Sequence, residues 1–347
     1  MLAKAMTSPP PHIERFAPSP NGRLHLGHAF SAMLAHDAAR AAGGRFLLRI
    51  EDIDRARSRP EHEAAILEDL RWLGIRWDAA PWRQSDRLPA YRAALGALGA
   101  RGLLYGCTCT RRDIADALDA PQEGGAAPPG PDGAAYPGLC RPARPMPPGL
   151  TPEGVWPERD GPERDGPERD GPERDGPEGP IPEGSPPHGA ALRLDMRAAI
   201  ASLGGRRTVA ALDWQELDAG PEGQRGRRPL DPDWLVERCG DVVLARKDAG
   251  TSYHLSVTVD DAAQGVTHVT RGRDLFHATP VHRLLQALLG LPVPRWRHHR
   301  LIRDAGGRRL AKRDRDQGIA ELRADGAAPA DVRAMLDLPP VTPAQAP

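Results

Sequence analysis

No run of this chain is both apolar and long enough to span a bilayer, and its first residues lack the apolar core of a secretion signal. These absences point away from helical membrane spans and export, and predict a cytoplasmic protein that touches no membrane. Cysteine is scarce. The four present, three of them between 107 and 140, do not suit the disulfide framework of a secreted domain and are better spaced for a metal. Net charge is missing altogether, since 47 basic side chains meet 47 acidic ones. No global basic field announces nucleic acid, so any RNA contact has to come from local arginine patches. Lysine is the scarcest cation and stands only at Lys4, Lys247 and Lys312. The first lies in a tail and the second in an expected turn. Lys312 sits in Gly306-Gly307-Arg308-Arg309-Leu310-Ala311-Lys312-Arg313, where a compact ammonium suits a phosphate in a way arginine's planar fork does not.

What the chain does have begins with Arg15-Phe16-Ala17-Pro18-Ser19-Pro20-Asn21-Gly22-Arg23-Leu24-His25-Leu26-Gly27-His28. Residues 13–17 read as a short buried strand, two prolines and Asn-Gly force a turn, and 29–42 is an unbroken helix-forming run. A strand that becomes a helix through two histidines around a glycine is the architecture of an ATP site, although on the tetrapeptide alone His25 and His28 could equally be ordinary helix-surface histidines. Backbone N–H groups and the positive end of the helix dipole attract phosphate oxygens there, and imidazole N–H donors stabilise charge developing on phosphorus. Gly27 lets a flat base approach the backbone.

Strand and helix signals alternate onward, with a strand over 45–52 and helices over 61–73 and 86–102, which is the βαβ pattern of a parallel sheet. Two low-complexity tracts, about 121–135 and 142–189, are too poor in apolar residues to build a core. The second holds four copies of Pro-Glu-Arg-Asp-Gly over 157–176, a period that fits neither a helix face nor a solenoid and reads as a solvated loop. Strands and a short helix are expected within 190–209 and 241–247. Residues 253–259 open the return to the main sheet, 266–270 form a strand, 279–289 a helix and 296–302 another strand, with short helices near 319–324 and 330–336. The expected fold is α/β, a Rossmann-like doubly wound parallel sheet split by an inserted, metal-bearing α+β subdomain. Its parts are a first half of the core at 12–102, the insertion at 103–250, the second half with the Lys312 loop at 251–315, and a short helical tail at 316–347.

The segment from Arg15 to His28 resembles the first signature of the class I aminoacyl-tRNA synthetases, in the form used by their glutamyl and glutaminyl branch. Arg49-Ile50-Glu51-Asp52-Ile53-Asp54 is similar to that branch's Arg-Ile-Glu-Asp-Thr-Asp, and Gln84-Ser85-Asp86-Arg87 to its Gln-Ser-Glu-Arg. The stretch from Tyr253 to Asp261, with Arg271-Gly272-Arg273-Asp274, follows its Tyr-x-x-Ala-Val-Val-Val-Asp-Asp and Arg-Gly-x-Asp. The Lys312 loop resembles Lys-Met-Ser-Lys-Ser with Arg309 for the first lysine and Ala311 for the serine. This likeness covers most of 13–313 and implies a ligase that activates L-glutamate with ATP and Mg2+ to glutamyl adenylate. It implies that His25, Gly27, His28 and Lys312 bind ATP, with His25, His28 and Lys312 catalytic. Arg15, Phe16, Ala17, Pro18, Ser19, Glu51, Tyr253 and Arg271 would bind glutamate. Arg15 would take the side-chain carboxylate, Arg271 the other and Glu51 the ammonium, while Tyr253 would shape the pocket and donate its hydroxyl. From the residues alone, Arg15 and Glu51 could equally be a buried pair and Tyr253 a core residue.

Cys107-Thr108-Cys109 and Cys140 suggest a structural zinc site, against the alternative of three reduced core thiols; no histidine nearby offers a fourth ligand. The resemblance supplies Tyr136, because the glutamyl-queuosine tRNA(Asp) synthetases carry Cys-x-Cys with Tyr-x-x-x-Cys at this place. Cys239 reads as a plain thiol. After Lys312 only residues 313–347 remain, too few for the anticodon-gripping helical domain of a full glutamyl-tRNA synthetase. Both features point to that free-standing branch, which implies one Zn2+ per chain, a monomer, activation without tRNA, and transfer to the cyclopentene-diol of queuosine in tRNA(Asp). A truncated glutamyl-tRNA synthetase charging tRNA 3′ ends and a non-catalytic RNA-binding paralogue are the alternatives.

Overall fold

A computed structural model describes residues 11–119, 130, 131, 133, 135–141, 190–302 and 318–340. Lys4, Lys312 with its loop, and the tract at 142–189 lie outside the described residues. Strands β1 (Ile13–Phe16), β2 (Arg45–Ile50) and β3 (Trp82–Arg83) pair in parallel in the order β1-β2-β3. With β4 (Leu104–Cys107), β5 (Ala191–Leu194), β6 (Asp213–Glu216), β7 (Gly226–Pro229), β8 (Val243–Ala245), β9 (His268–Gly272) and β10 (Arg295–His299), two further sheets form, ordered β7-β6-β10-β9 and β4-β5-β8.

The first two sheets meet at β1 and β9. The Thr267 N–H donates to the Ile13 carbonyl at 3.0 Å, and the Ile13 N–H donates to Thr267 Oγ1 at 2.8 Å. The joined order is β3-β2-β1-β9-β10-β6-β7, in which β9, β10 and β6 pair in parallel and only the outer β6–β7 pair is antiparallel. Strand order runs outward from β1 in one direction and from β9 in the other. The crevice at their carboxyl ends is therefore the switch point of a doubly wound sheet, where such folds place ligands. Buried runs such as Phe46-Leu47-Leu48 suit strands covered on both faces.

Helices α1 (Leu26–Ala41), α2 (Pro60–Trp72) and α3 (Leu88–Gly99) follow the first three strands. The short helices α4 (Arg111–Asp119), α5 (Met196–Ser202), α6 (Arg206–Ala210) and α7 (Pro232–Trp234) belong to the middle of the chain. They are followed by α8 (Tyr253–Ala263), α9 (Thr279–Leu289), α10 (Ile319–Ala324) and α11 (Pro329–Met335). One apolar core gathers Phe30 and Met33 of α1, Phe46 and Leu48 of β2, Ile66 of α2, and Ile319, Leu322 and Val332 of the last two helices. A second joins Leu95 of α3 and Leu284 of α9 to Leu192, Leu194 and Leu244 of the antiparallel sheet. That sheet therefore shares its core with the main body.

Three features depart from the expected elements. The segment 253–259 returns to the main sheet as a helix, although Val257, Thr258 and Val259 favour strand. Ser252 Oγ accepts the Leu255 N–H at 3.4 Å as an N-cap, and residues 254–258 are all buried, so packing overrides propensity. The helix expected over 86–102 divides into a single tight turn, Gln84–Arg87, and α3, which begins at a proline-containing first turn. From within the expected insertion, β6 and β7 join the main sheet rather than the antiparallel one. Elsewhere α9 carries proline in its first turn and ends on Gly290 in the left-handed conformation, as its sequence predicts. Among the described residues no helix is long and apolar enough to cross a membrane.

Candidate active site

A cleft of about 840 Å³ opens at the carboxyl ends of β1 and β9. Arg15, Phe16, Ala17, Pro18, Ser19, His25, Gly27, His28, Glu51, Tyr253 and Arg271 all line it. Strand β1 delivers Arg15, the residue after β2 is Glu51, the first turn of α8 gives Tyr253, and β9 gives Arg271. All the expected glutamate and ATP residues except Lys312 thus meet in one place.

The two arginines are held differently. Arg15 is 4% exposed and gives its Nε–H to Asp261 Oδ1 at 3.0 Å, while its two terminal nitrogens have no partner among the described residues. It keeps a planar fork available. Arg271 is tied at all three nitrogens: Nε donates to His298 Nε2 (3.0 Å), NH2 to Thr279 Oγ1 (2.7 Å), and NH1 to Tyr253 OH (3.3 Å) and His282 Nδ1 (3.2 Å). One N–H remains, so Arg271 offers charge and a single bond in its present setting. Because a guanidinium only donates, His298 Nε2 and His282 Nδ1 accept. His298 must then carry its hydrogen on Nδ1, which meets Glu216 Oε2 at 2.5 Å, and His282 Nε2–H donates to His254 Nδ1 at 3.1 Å. Burial holds His298 down to about 4, against the pull of Glu216, and His282 well below the usual histidine range, so both rings stay neutral.

Beneath Arg15 lies a buried ionic layer. Arg49, fully buried, gives NH1 to Asp261 Oδ1 at 2.8 Å, and its NH2 lies 3.6 Å from Glu51 Oε1. Asp260 accepts from Tyr91 OH at 2.6 Å, Arg87 Nε at 3.2 Å and Gln84 Nε2 at 3.3 Å. Burial works against ionisation of Asp261, but Arg15 and Arg49 outweigh it and keep the carboxyl below its usual range. Burial pushes Glu51 up to about 7, with Arg49 and Arg15 pulling the other way. Tyr253 is pushed up by burial, so its hydroxyl keeps its hydrogen and can donate while its oxygen accepts from Arg271.

The histidines cap α1. His25 Nδ1 accepts the Gly27 N–H at 3.1 Å, His28 Nδ1 accepts the His25 N–H at 3.2 Å, and the rings stack with centroids 3.8 Å apart. Helix α1 starts at Leu26, so His25 caps it and His28 lies in its first turn, as the sequence predicts. Both Nδ1 atoms are acceptors, so in each neutral ring Nε2 carries the hydrogen. The arrangement presents two N–H donors at a helix N-terminus, suited to an anion. Gly27 is required for it, since a Cβ there would lie 2.9 Å from His25 Cε1.

The cysteines form a second site. The sulfurs of Cys107, Cys109 and Cys140 all lie within 4.8 Å of one another and could hold a metal ion. Tyr136 OH lies 3.5 Å from Cys107 Sγ and 3.3 Å from Cys109 Sγ, and accepts the Cys140 N–H at 2.7 Å. Three sulfurs and one oxygen thus lie close together, and the sulfurs are donors that suit a tetrahedral cation such as zinc. Cys239 is buried and lies in no disulfide, in keeping with its reading as a plain thiol.

A family model for class I tRNA synthetases (E and Q), catalytic domain, matches residues 13–129 and 233–346. A glutamyl-Q tRNA(Asp) synthetase from Rhodobacter capsulatus is 54% identical over 326 residues, covering 94% of this chain and 100% of that one. One from Nocardia farcinica is 40% identical over 95% of this chain and 86% of its own. The chain belongs to the glutamyl-Q tRNA(Asp) synthetases. As a member of that family and of the class I synthetases it is a ligase-type enzyme, and the gap in the family match, residues 130–232, falls on the second low-complexity tract and β5 to β7. In fold it is similar to a glutamate tRNA ligase from Elizabethkingia meningosepticum solved in complex with its amino acid, at a TM-score of 0.59 and 24% identity. That likeness covers 88% of this chain and 53% of the solved one, so the chain spans about half its length. A Mycobacterium tuberculosis methionyl-tRNA synthetase shares the fold at a TM-score of 0.50 and 11% identity.

Several residues that shape this synthetase cleft carry no role in the sequence reading. Arg49 and Asp261 lie inside recognised motifs, yet only the fold shows that they brace Arg15. Glu216, His282, Thr279 and His298, which orient Arg271, stand in no motif. A buried charge on a strand that looks like part of an insertion is the one signal Glu216 offered.

Proposed function

We propose that this enzyme activates L-glutamate with ATP in the absence of RNA and transfers it to the cyclopentene-diol of queuosine in the anticodon of tRNA(Asp). The observation that carries this reading is the convergence of Arg15, Glu51, Tyr253 and Arg271 with the stacked His25 and His28 on one cleft. Glutamate enters with its side-chain carboxylate on the terminal nitrogens of Arg15, where a planar fork meets two oxygens. Its ammonium faces Glu51. Arg271 gives its remaining N–H and its charge to the second carboxylate, and Tyr253 donates its hydroxyl. Phe16, Ala17, Pro18 and Ser19 form the floor of the pocket.

An oxygen of the α-carboxylate attacks the α-phosphorus of ATP, the bond from that phosphorus to the bridging oxygen breaks, and pyrophosphate leaves with the electron pair. His25 and His28 meet the phosphate oxygens through their Nε2–H groups, Gly27 lets the nucleotide lie close, and Lys312 adds a positive charge from outside the described residues. Mg2+ accompanies the triphosphate as part of the substrate. A hydroxyl of the diol then attacks the glutamyl carbonyl, loses its proton, and AMP departs. Cys107, Cys109, Cys140 and Tyr136 would hold one Zn2+, which supplies a cross-link between the 107–109 turn and the 136–140 loop and takes no part in the reaction. We assign the enzyme to the cytoplasm as a monomer.

The acceptor is tested with labelled glutamate and tRNA(Asp) from cells that make queuosine and cells that do not. Label is expected only on the queuosine-containing RNA, and it should survive removal of the 3′-terminal adenosine. Label at the 3′ end of tRNA(Glu) would contradict the assignment and make the protein a short glutamyl-tRNA synthetase.

A further inference from the structure

His299 lines the cleft and the mechanism above leaves it unused. It ends β10 directly after His298, and the two rings differ in one respect. Both nitrogens of His298 have partners, Glu216 Oε2 and Arg271 Nε. His299 is 5% exposed, its Nδ1 lies 2.8 Å from the carbonyl oxygen of Arg300, and its Nε2 is buried with no hydrogen-bond partner among the described residues. A carbonyl only accepts, so Nδ1 carries the hydrogen and Nε2 is left as a lone-pair acceptor. The Phe30 ring meets the His299 ring at 89° with centroids 5.0 Å apart, which fixes its orientation.

The neighbours of His299 in the cleft wall are Gly272, Asp274, Leu275, Leu301 and Ile302, drawn from the carboxyl ends of β9 and β10 and the segments after them. They differ from the β1 and β2 residues assigned to glutamate. Buried acceptors are nearly always paired, and an unsatisfied one on a residue that lines a binding cleft is a place where a ligand can complete the bond once the ring turns to meet it. ATP has few donors to offer. Its triphosphate only accepts, leaving the two ribose hydroxyls and the exocyclic amine of adenine.

We propose that His299 Nε2 accepts a hydrogen bond from the nucleoside part of ATP, making His299 a nucleotide-selecting residue of this cleft; the inference rests on ATP occupying the cleft. The test uses the full chain, with ATP, 2′-deoxy-ATP, 3′-deoxy-ATP and inosine triphosphate compared in glutamate-dependent pyrophosphate exchange. His299→Leu removes the acceptor and His299→Gln retains one at a similar reach, while both lose the bond to the Arg300 carbonyl. In His299→Leu the KM for ATP is expected to rise about tenfold, the worth of one such bond, with the KM for glutamate within about twofold. His299→Gln should recover most of the loss. The analogue lacking the donor should be penalised in the parent and no longer penalised relative to ATP in His299→Leu, which identifies the hydroxyl or amine involved. An unchanged KM for ATP in His299→Leu would overturn the proposal, as would equal losses in the Leu and Gln variants. Calorimetric titration of the parent with ATP separates the two levels: no binding at all would overturn the ATP assignment of the cleft itself.

Discussion

The cleft and the cysteine cluster are both built from ionisable side chains, and they are held together in opposite ways. In the cleft the central charges are answered from a distant part of the chain: Arg15 pairs with Asp261, 246 residues away, and Arg49 pairs with the same carboxylate. These pairs stand in place before any ligand arrives, so binding needs little rearrangement. In the cluster the donors come from one short stretch of sequence, and once ionised they share one sign. Burial pushes Cys109 up to about 11, whereas hydrogen bonds from Tyr136 and the Thr108 backbone overcome burial and bring Cys140 down to about 6. Three thiolates this close would need a cation between them, and the order of that segment would then depend on the ion. The cleft is preorganised by its own side chains, whereas the cluster has no opposite charge of its own and could take one from a metal ion.

The strongest way to break this contrast is Arg15→Ala. It removes the substrate fork and leaves Asp261 with Arg49 alone. We expect kcat/KM for glutamate to fall by about 10³-fold or more, and stability to fall by about 3 kcal/mol, the cost of breaking a buried pair. Exchange kinetics and urea unfolding measure the two; a loss below about tenfold in the first would show that the fork is not formed by Arg15.

Removal of the metal sharpens the other side. Cys109→Ser, or treatment with a strong chelator, should abolish stoichiometric zinc and lower Tm by roughly 5–10 °C, corresponding to a few kcal/mol. The KM for glutamate should stay within about twofold, because the cleft is braced independently. Full metal retention in Cys109→Ser, read by elemental analysis, would remove that residue from the ligand set.

Two pH effects follow from burial. Glu51 must be ionised to meet an ammonium, and its carboxyl is held up at about 7. Below that pH the free enzyme carries the proton that glutamate must displace, so the KM for glutamate should rise about tenfold per unit of falling pH. Glu51→Gln should flatten this profile, and a flat profile in the parent would exclude Glu51 as the ammonium's partner. His298 acts on stability instead. Its folded value near 4 lies below the unfolded 6.5, so its contribution is complete above 6.5 and is lost as pH falls toward 4. The loss is on the order of 3 kcal/mol, read as a drop in urea midpoint across that window that His298→Gln should diminish.

The residues that line the cleft were legible in the sequence because they stand in motifs that resemble those of the glutamyl branch. Arg15 to His28 is one such run, and the strand, turn and helix it predicts are the ones that form. The bracing residues were not legible. Glu216 reaches His298 only because β6 leaves the insertion to pair with β10, and no local pattern says so. Arg49 and Asp261 lie 212 residues apart, a separation that only the sheet order closes. Helix α8 was hidden by its own β-branched residues, whose propensity yielded to burial. The cysteine site shows the reverse case. Three thiols and a tyrosine within one short stretch needed no long-range topology to be found.

The measurement that bears most directly on a preorganised cleft is glutamate-dependent exchange between ATP and pyrophosphate in the complete absence of RNA. Robust exchange is the expected result, since Arg15, Glu51, Tyr253, Arg271 and the two stacked histidines stand in place without a nucleic acid to position them. No exchange without RNA, with exchange appearing on addition of tRNA(Glu), would contradict it and show that the site is completed by its acceptor.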